Sequence, residues 1–139
     1  MAMNAASERT ERRMTVAEFL AWNDGTETRY ELVNGMLVAM NQPAIRHALV
    51  CDNIGRALER QVRPPCRVFR AIAGVAHGED DRTWREPDLV VTCKRPAEGF
   101  IAEPRFVVEV LSPSTEREDR TVKLDFYESF PTLEAVLLV

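Results

Sequence analysis

Three carboxylates in this chain stand where charge is expensive. Glu31 lies in Tyr30-Glu31-Leu32-Val33, Asp88 in Pro87-Asp88-Leu89-Val90-Val91, and Glu109 in Val107-Val108-Glu109-Val110-Leu111. Each run reads as a partly buried strand, and an ionised carboxylate there has to be paired or bound to a metal. Acids delivered by separate strands form an oxygen-only donor set of the kind that suits Mg2+ or Mn2+. A hard ion of that sort orients water and stabilises charge developing on a phosphoryl group.

Such chemistry also needs a cation beside the attacked phosphate, and Lys123 is the candidate. It is one of two lysines in a chain that otherwise uses arginine. A compact ammonium approaches water or a nonbridging oxygen as a point charge, which a planar guanidinium does not. Asp119 and Tyr127 lie four residues to either side on the same helical face, so a carboxylate can orient the ammonium and a phenol can flank it. His47 is read either as a supporting hydrogen-bond partner of a metal-bound carboxylate or phosphate, or as a packed histidine. Blander readings stand beside the others: Glu109 paired with Arg105, Asp88 as a turn acid next to proline, Glu31 facing water, Lys123 as a surface lysine bonded to Asp119, and Tyr127 as a helix-packing residue.

Other chemistries find less support. Gly74 and Gly78 have neither the spacing nor the lysine of a phosphate-binding loop, and Ser112 and Ser114 read as turn and capping residues. Cys51, Cys66 and Cys93 are widely spaced, form no C-x-x-C pair, and make no zinc motif with His47 or His77. An odd cysteine count of this kind fits a reducing cytoplasm. His77 carries no expected role, and Trp22 and Trp84 read as packing residues.

The elements that must position these groups follow from pattern and punctuation. Thr15-Val16-Ala17-Glu18 is a capping box opening a helix over Val16–Trp22. Tyr30–Val33, Asn34-Gly35 and Met36–Met40 form a hairpin, since Asn-Gly supplies the positive φ angles of a type I′ turn. A helix over Ile45–Gln61 carries His47, Cys51, Ile54 and Leu58 on one stripe and ends at Pro64-Pro65. Strands are expected over Val68–His77, Asp88–Cys93, Phe106–Leu111 and Leu133–Val139. A second capping box at Thr115–Glu118 opens a helix to Phe130, with Val122, Phe126 and Phe130 on its packed face. The order describes an α+β (α/β/α-like) core, a mixed sheet flanked by helices.

Size and charge set the outer bounds. The chain has 139 residues, 45% apolar and 29% charged, which fits one soluble globular domain. A net charge of -4 gives no general attraction to nucleic acid or to an anionic membrane. The stretch from Arg46 to Arg70 holds six arginines against Asp52 and Glu59. It reads equally as a phosphate-facing surface or as a solvated helix face. No apolar run reaches transmembrane length, and residues 1–13 are polar and acid-containing, unlike a signal peptide. They read as a flexible lead-in to a domain over 14–139, whose abrupt apolar end at Val139 raises the expectation of a C-terminal truncation.

Taken as a set, Glu31, Pro87-Asp88, Val107-Val108-Glu109-Val110-Leu111-Ser112-Pro113-Ser114-Thr115 and Lys123 resemble the restriction-endonuclease-like, or PD-(D/E)-x-K, nuclease fold. More closely, the chain is similar to the bacterial Uma-two-type restriction-endonuclease family. That family shares the Tyr30–Gly35 hairpin, a histidine in the position of His47, the Pro-Asp-Leu segment and Glu-Val-Leu-Ser-Pro-Ser-Thr. The resemblance implies that Asp88 and Glu109 hold Mg2+ or Mn2+, that Glu31 completes or supports the site, and that Lys123 is the catalytic lysine. The common form of the fold puts lysine two residues after the second acid, where this chain has Leu111, so the lysine has moved to the following helix. The implied activity is hydrolysis of DNA phosphodiester bonds to a 5′-phosphate and a 3′-hydroxyl, with a homodimer cutting two strands. The alternatives are a catalytically inactive nuclease-fold module that binds nucleic acid or protein, and a phosphohydrolase acting on small nucleotides.

Overall fold

The computed structural model describes residues 13–71, 73–96, 98–112 and 118–139, and for residues 118 and 119 the backbone alone. The elements in chain order are α1 (Val16–Ala21), β1 (Tyr30–Val33), β2 (Met36–Ala39), α2 (Ile45–Gln61), β3 (Arg67–Arg70), β4 (Leu89–Thr92), β5 (Pro104–Glu109), α3 (Glu118–Glu128) and β6 (Ala135–Leu138). The protein is therefore α+β. None of the described helices is long and apolar enough to cross a membrane. The expected cap at Thr115 and the side chain of Asp119 lie outside the described residues.

The chain forms two compact units. The first contains α1, the hairpin and Ala76–Arg85. Both arms of the capping box form: Thr15 Oγ1 accepts from the Glu18 amide at 3.2 Å, and Glu18 Oε1 accepts from the Thr15 amide at 3.4 Å. Asn34 and Gly35 take φ angles of 50° and 82°, as the tight turn requires, and Val33 pairs with Met36. The backbones of Leu32 and Trp84 exchange hydrogen bonds at 2.9 and 2.8 Å, so a short segment flanks β1 on its open side. Phe19 then packs on the buried Trp84, ring centroids 5.2 Å apart.

The second unit comprises Gln42–Val75 and Glu86–Val139. Its sheet has the order β3-β4-β5-β6, antiparallel except for the parallel pair β5-β6. A parallel pair needs a crossover connection, and α3 supplies it. The central position of β4 explains its unbroken apolar run, buried at every residue. Val75, Val90, Ile101, Val107, Tyr127 and Phe130 form the core.

Several boundaries differ from expectation for local reasons. The strand expected over Val68–His77 stops at Arg70, whose partner is Leu89. Two residues before Leu89 stands Pro87, which has no amide to continue the ladder. Beyond the break, Val75 forms an isolated parallel bridge with Ile101. The next strand begins at Pro104, a tolerated strand-opening position, and closes at Glu109 rather than Leu111. On α3 the packed stripe differs in part from the expected one. Phe130 is buried and Phe126 packs against the core as expected, but Val122 is 48% exposed and Tyr127 fills the core beside Phe130.

The cysteines also depart from expectation. Extending the pairing of Arg67 with Thr92 outward by one residue sets Cys66 beside Cys93, and these two form a disulfide. Cys51 remains a free thiol. Spacing in sequence carried no sign of the pairing because the partners flank different strands, one before β3 and one after β4.

Candidate active site

Glu109 and Asp88 come together through register. Leu89 pairs with Val108, so one further step outward sets Asp88 opposite Glu109, at adjoining ends of the two central strands. The amide of Val110 donates to Asp88 Oδ2 at 2.7 Å, fixing the acid against the end of β5. The other oxygen, Oδ1, lies 3.2 Å from His47 Nε2. Helix α2 thus delivers His47 to Asp88.

Helix α3 delivers the remaining groups. Lys123, Tyr127 and Phe130 recur at helical spacing, so the stripe that packs Tyr127 and Phe130 onto the sheet also carries Lys123 towards it. The Tyr127 hydroxyl donates to Glu109 Oε1 at 2.5 Å, and Lys123 Nζ lies 3.7 Å from Glu109 Oε2. The side chain of Lys123 is 18% exposed. Arg105 pairs with Glu134 at 2.8 Å, so it is not the partner of Glu109.

Glu31 belongs to the first unit, where its carboxylate faces Arg85 Nη1 at 3.5 Å with both side chains buried. The reading of Glu31 as a water-facing hairpin residue is therefore overturned. The basic stretch is partly neutralised: Arg56 and Arg70 pair with Asp52, and Arg70 also with Glu59. Arg70 lies directly over Gly55, where an added Cβ would meet its guanidinium carbon at 2.8 Å.

One group escaped the sequence reading. Cys51 Sγ lies 3.7 Å from His47 Nδ1, and His47, Cys51 and Asp88 present ligand atoms within 4.8 Å of one another. The sequence spacing makes no zinc motif of histidines and cysteines, yet the fold brings one of each together with an acid. The signal was the i, i+4 spacing of His47 and Cys51 on one stripe, completed by an acid from another element. Burial first, and then the negative charges of Asp88 and Glu109, together push the Cys51 thiol up to about 11.

The carboxylates of Asp88 and Glu109 are hard oxygen donors and the imidazole of His47 a nitrogen donor, a set whose chemistry accepts Mg2+ or Mn2+. Its arrangement places an ammonium, a phenol and an imidazole around two acids at one end of a sheet.

Comparison with known proteins gives a consistent picture. The chain is 28% identical over 131 residues to the uncharacterized protein slr1290 of Synechocystis sp., covering 91% of this chain and 68% of that one. It is 23% identical over 136 residues to sll1609 of the same organism, covering 94% and 76%. A crystal structure from Anabaena variabilis, described as "a putative nuclease belonging to DUF820", superposes with a TM-score of 0.67 at 22% identity, over 91% of this chain and 73% of that one. Residues 16–139 match the family Uma2, described as "Putative restriction endonuclease", and the chain belongs to that family.

Proposed function

We propose that this protein is a metal-dependent endonuclease that hydrolyses DNA phosphodiester bonds, with Asp88 and Glu109 as metal-holding acids and Lys123 as the catalytic lysine. The observation that carries the reading is the convergence on Glu109: a tyrosine hydroxyl at 2.5 Å and a lysine ammonium at 3.7 Å, at the strand end opposite Asp88. Family membership and the nuclease description of the Anabaena structure support it.

A Mg2+ or Mn2+ ion held by Asp88 and Glu109 would supply Lewis-acid stabilisation of charge on the phosphate. The chain's own groups do the rest. Val110 and His47 hold the two oxygens of Asp88, so this acid keeps one orientation. Tyr127 holds one oxygen of Glu109, and Lys123 balances the charge of the other. The ammonium, partly exposed beside the acids, orients the attacking water and stabilises a nonbridging phosphate oxygen. Glu31 stays paired with Arg85 within the first unit. We place the protein in the cytoplasm on the ground of its DNA substrate alone, since the Cys66–Cys93 disulfide removes the support that the cysteine count gave. A homodimer would bring two sites to two strands.

A specific observation favours the alternative of a noncatalytic module that binds nucleic acid or protein. Glu109 is already paired with Lys123 and Tyr127, so its burial is accounted for without an ion. Incubation with supercoiled and linear DNA in Mg2+ or Mn2+ separates the readings. Nicking or linearisation that disappears in Glu109→Gln and Lys123→Met supports the nuclease; cleavage that persists in Glu109→Ala removes the proposed chemistry. Absence of cleavage, together with no Mn2+ binding by calorimetry, favours the module.

A further inference from the structure

Helix α2 carries two softer donors to the carboxylate that the nuclease reading gives to a hard ion. His47 and Cys51 stand four residues apart on one helical face, and Asp88 meets them from the start of β4. His47 Nε2 is 3.2 Å from Asp88 Oδ1, Cys51 Sγ is 3.7 Å from His47 Nδ1, and one ligand atom from each residue lies within 4.8 Å of the other two. Ligand atoms about 2.0–2.3 Å from zinc stand roughly 3.3–3.8 Å apart around a tetrahedron. His47 faces Asp88 with Nε2 and Cys51 with Nδ1, and only one ring nitrogen can bind a given ion. The cluster therefore closes on an ion once the 4.8 Å spread of one ligand atom per residue contracts to that spacing.

Sulfur decides the class of ion. Magnesium and manganese take oxygen-rich sites, whereas thiolate with imidazole selects zinc and its neighbours. We propose that His47, Cys51 and Asp88 form a three-ligand site for a borderline-soft d-block cation, of which Zn2+ is the natural case and Co2+ the spectroscopic stand-in. Three protein ligands leave a coordination position open to water or an anion, unlike a closed structural site. The ligand set stands without the nuclease reading; one consequence rests on it. Asp88 serves both ions, so zinc bound here competes with Mg2+ or Mn2+ and inhibits cleavage.

The test is a cobalt titration of the whole chain with the Cys66–Cys93 disulfide kept oxidised. The wild type is expected to develop a thiolate-to-cobalt charge-transfer band in the near ultraviolet, which Zn2+ abolishes. Cys51→Ser should lose that band, His47→Ala should weaken cobalt binding, and the double variant Cys66→Ser, Cys93→Ser should keep the band. No band in the wild type, or a band surviving in Cys51→Ser, overturns the site. Should Cys51→Ser fail to fold, zinc-edge X-ray absorption of the wild type decides instead: a sulfur neighbour supports the site and its absence overturns it. Cobalt–sulfur ligation, together with no DNA cleavage in Mg2+ or Mn2+ free of cobalt and zinc, refutes the nuclease reading alone. Cleavage in Mg2+ without the band refutes this site alone.

Discussion

Tyr127 donates its hydroxyl to Glu109 Oε1 at 2.5 Å, and the two residues are 0% and 4% exposed. This is the length expected of a charge-assisted O–H···O bond, stronger than one between neutral partners. Tyr127→Phe keeps the ring in the core and deletes the donor. The expected loss is about 1.5–3 kcal/mol of unfolding free energy, the range for hydrogen bonds to charged groups. Urea denaturation reads it, and an unchanged midpoint would show that the bond contributes nothing net.

Lys123 differs from Tyr127 in being expected to act on substrate as well as on Glu109. Lys123→Met removes the ammonium while keeping much of the aliphatic stem against the sheet. Cleavage should fall by about 10²–10³-fold, the cost of removing one preorganised group that stabilises transition-state charge. The loss should appear in kcat at saturating DNA, with DNA affinity changed much less. Lys123→Arg should not restore the rate, since a guanidinium cannot replace a point charge in the same space. A variant that loses affinity but keeps its turnover would make Lys123 a binding residue.

Much of this site is legible in one dimension because each acid interrupts an apolar strand. Glu109 and Asp88 are marked by the cost of burial alone. The hairpin is marked by Asn34-Gly35, and α2 by its periodicity, to the residue at both ends. What stays hidden depends on register and on helix rotation. Whether Asp88 faces Glu109 is set by the pairing of Leu89 with Val108, and a one-residue slip would reverse the face. Val122 faces outward because the stripe on α3 follows contacts with the sheet, which periodicity alone cannot orient. Arg85, the partner of Glu31, and Cys51, the neighbour of Asp88, become visible only when distant segments meet.

The Glu31–Arg85 pair gives a stability prediction that separates structure from catalysis. Their side chains are 8% and 4% exposed, so neither charge is well hydrated. Breaking a buried pair from one side leaves the other charge uncompensated, at a cost of about 3 kcal/mol or more. Glu31→Gln should destabilise the protein by that amount, whereas joint replacement, Glu31→Leu with Arg85→Met, should cost less than the single change. Thermal unfolding of the three variants tests this. If cleavage falls in Glu31→Gln at a temperature where it stays folded, Glu31 also supports the chemistry.

Cys51 supplies a pH-dependent prediction. Its thiol is raised from 9.0 to about 11, first by burial and then by the charges of Asp88 and Glu109. Below pH 9 the thiol is protonated in both folded and unfolded chains, and the stabilising contribution is fully present. Between pH 9 and about 11 the unfolded chain releases the proton and the folded one keeps it, so this contribution to stability falls as pH rises and levels off above the folded value. Cys51→Ala should remove that part of the alkaline slope in denaturant titrations. Alkylation of the folded protein by iodoacetamide should rise with a midpoint near 11, because the thiolate is the nucleophile. A divalent cation on Asp88 and Glu109 cancels the two electrostatic causes and leaves burial, so Mg2+ should lower the midpoint without returning it to 9.0. A midpoint near 9.0 without metal would place Cys51 in contact with solvent, away from both acids.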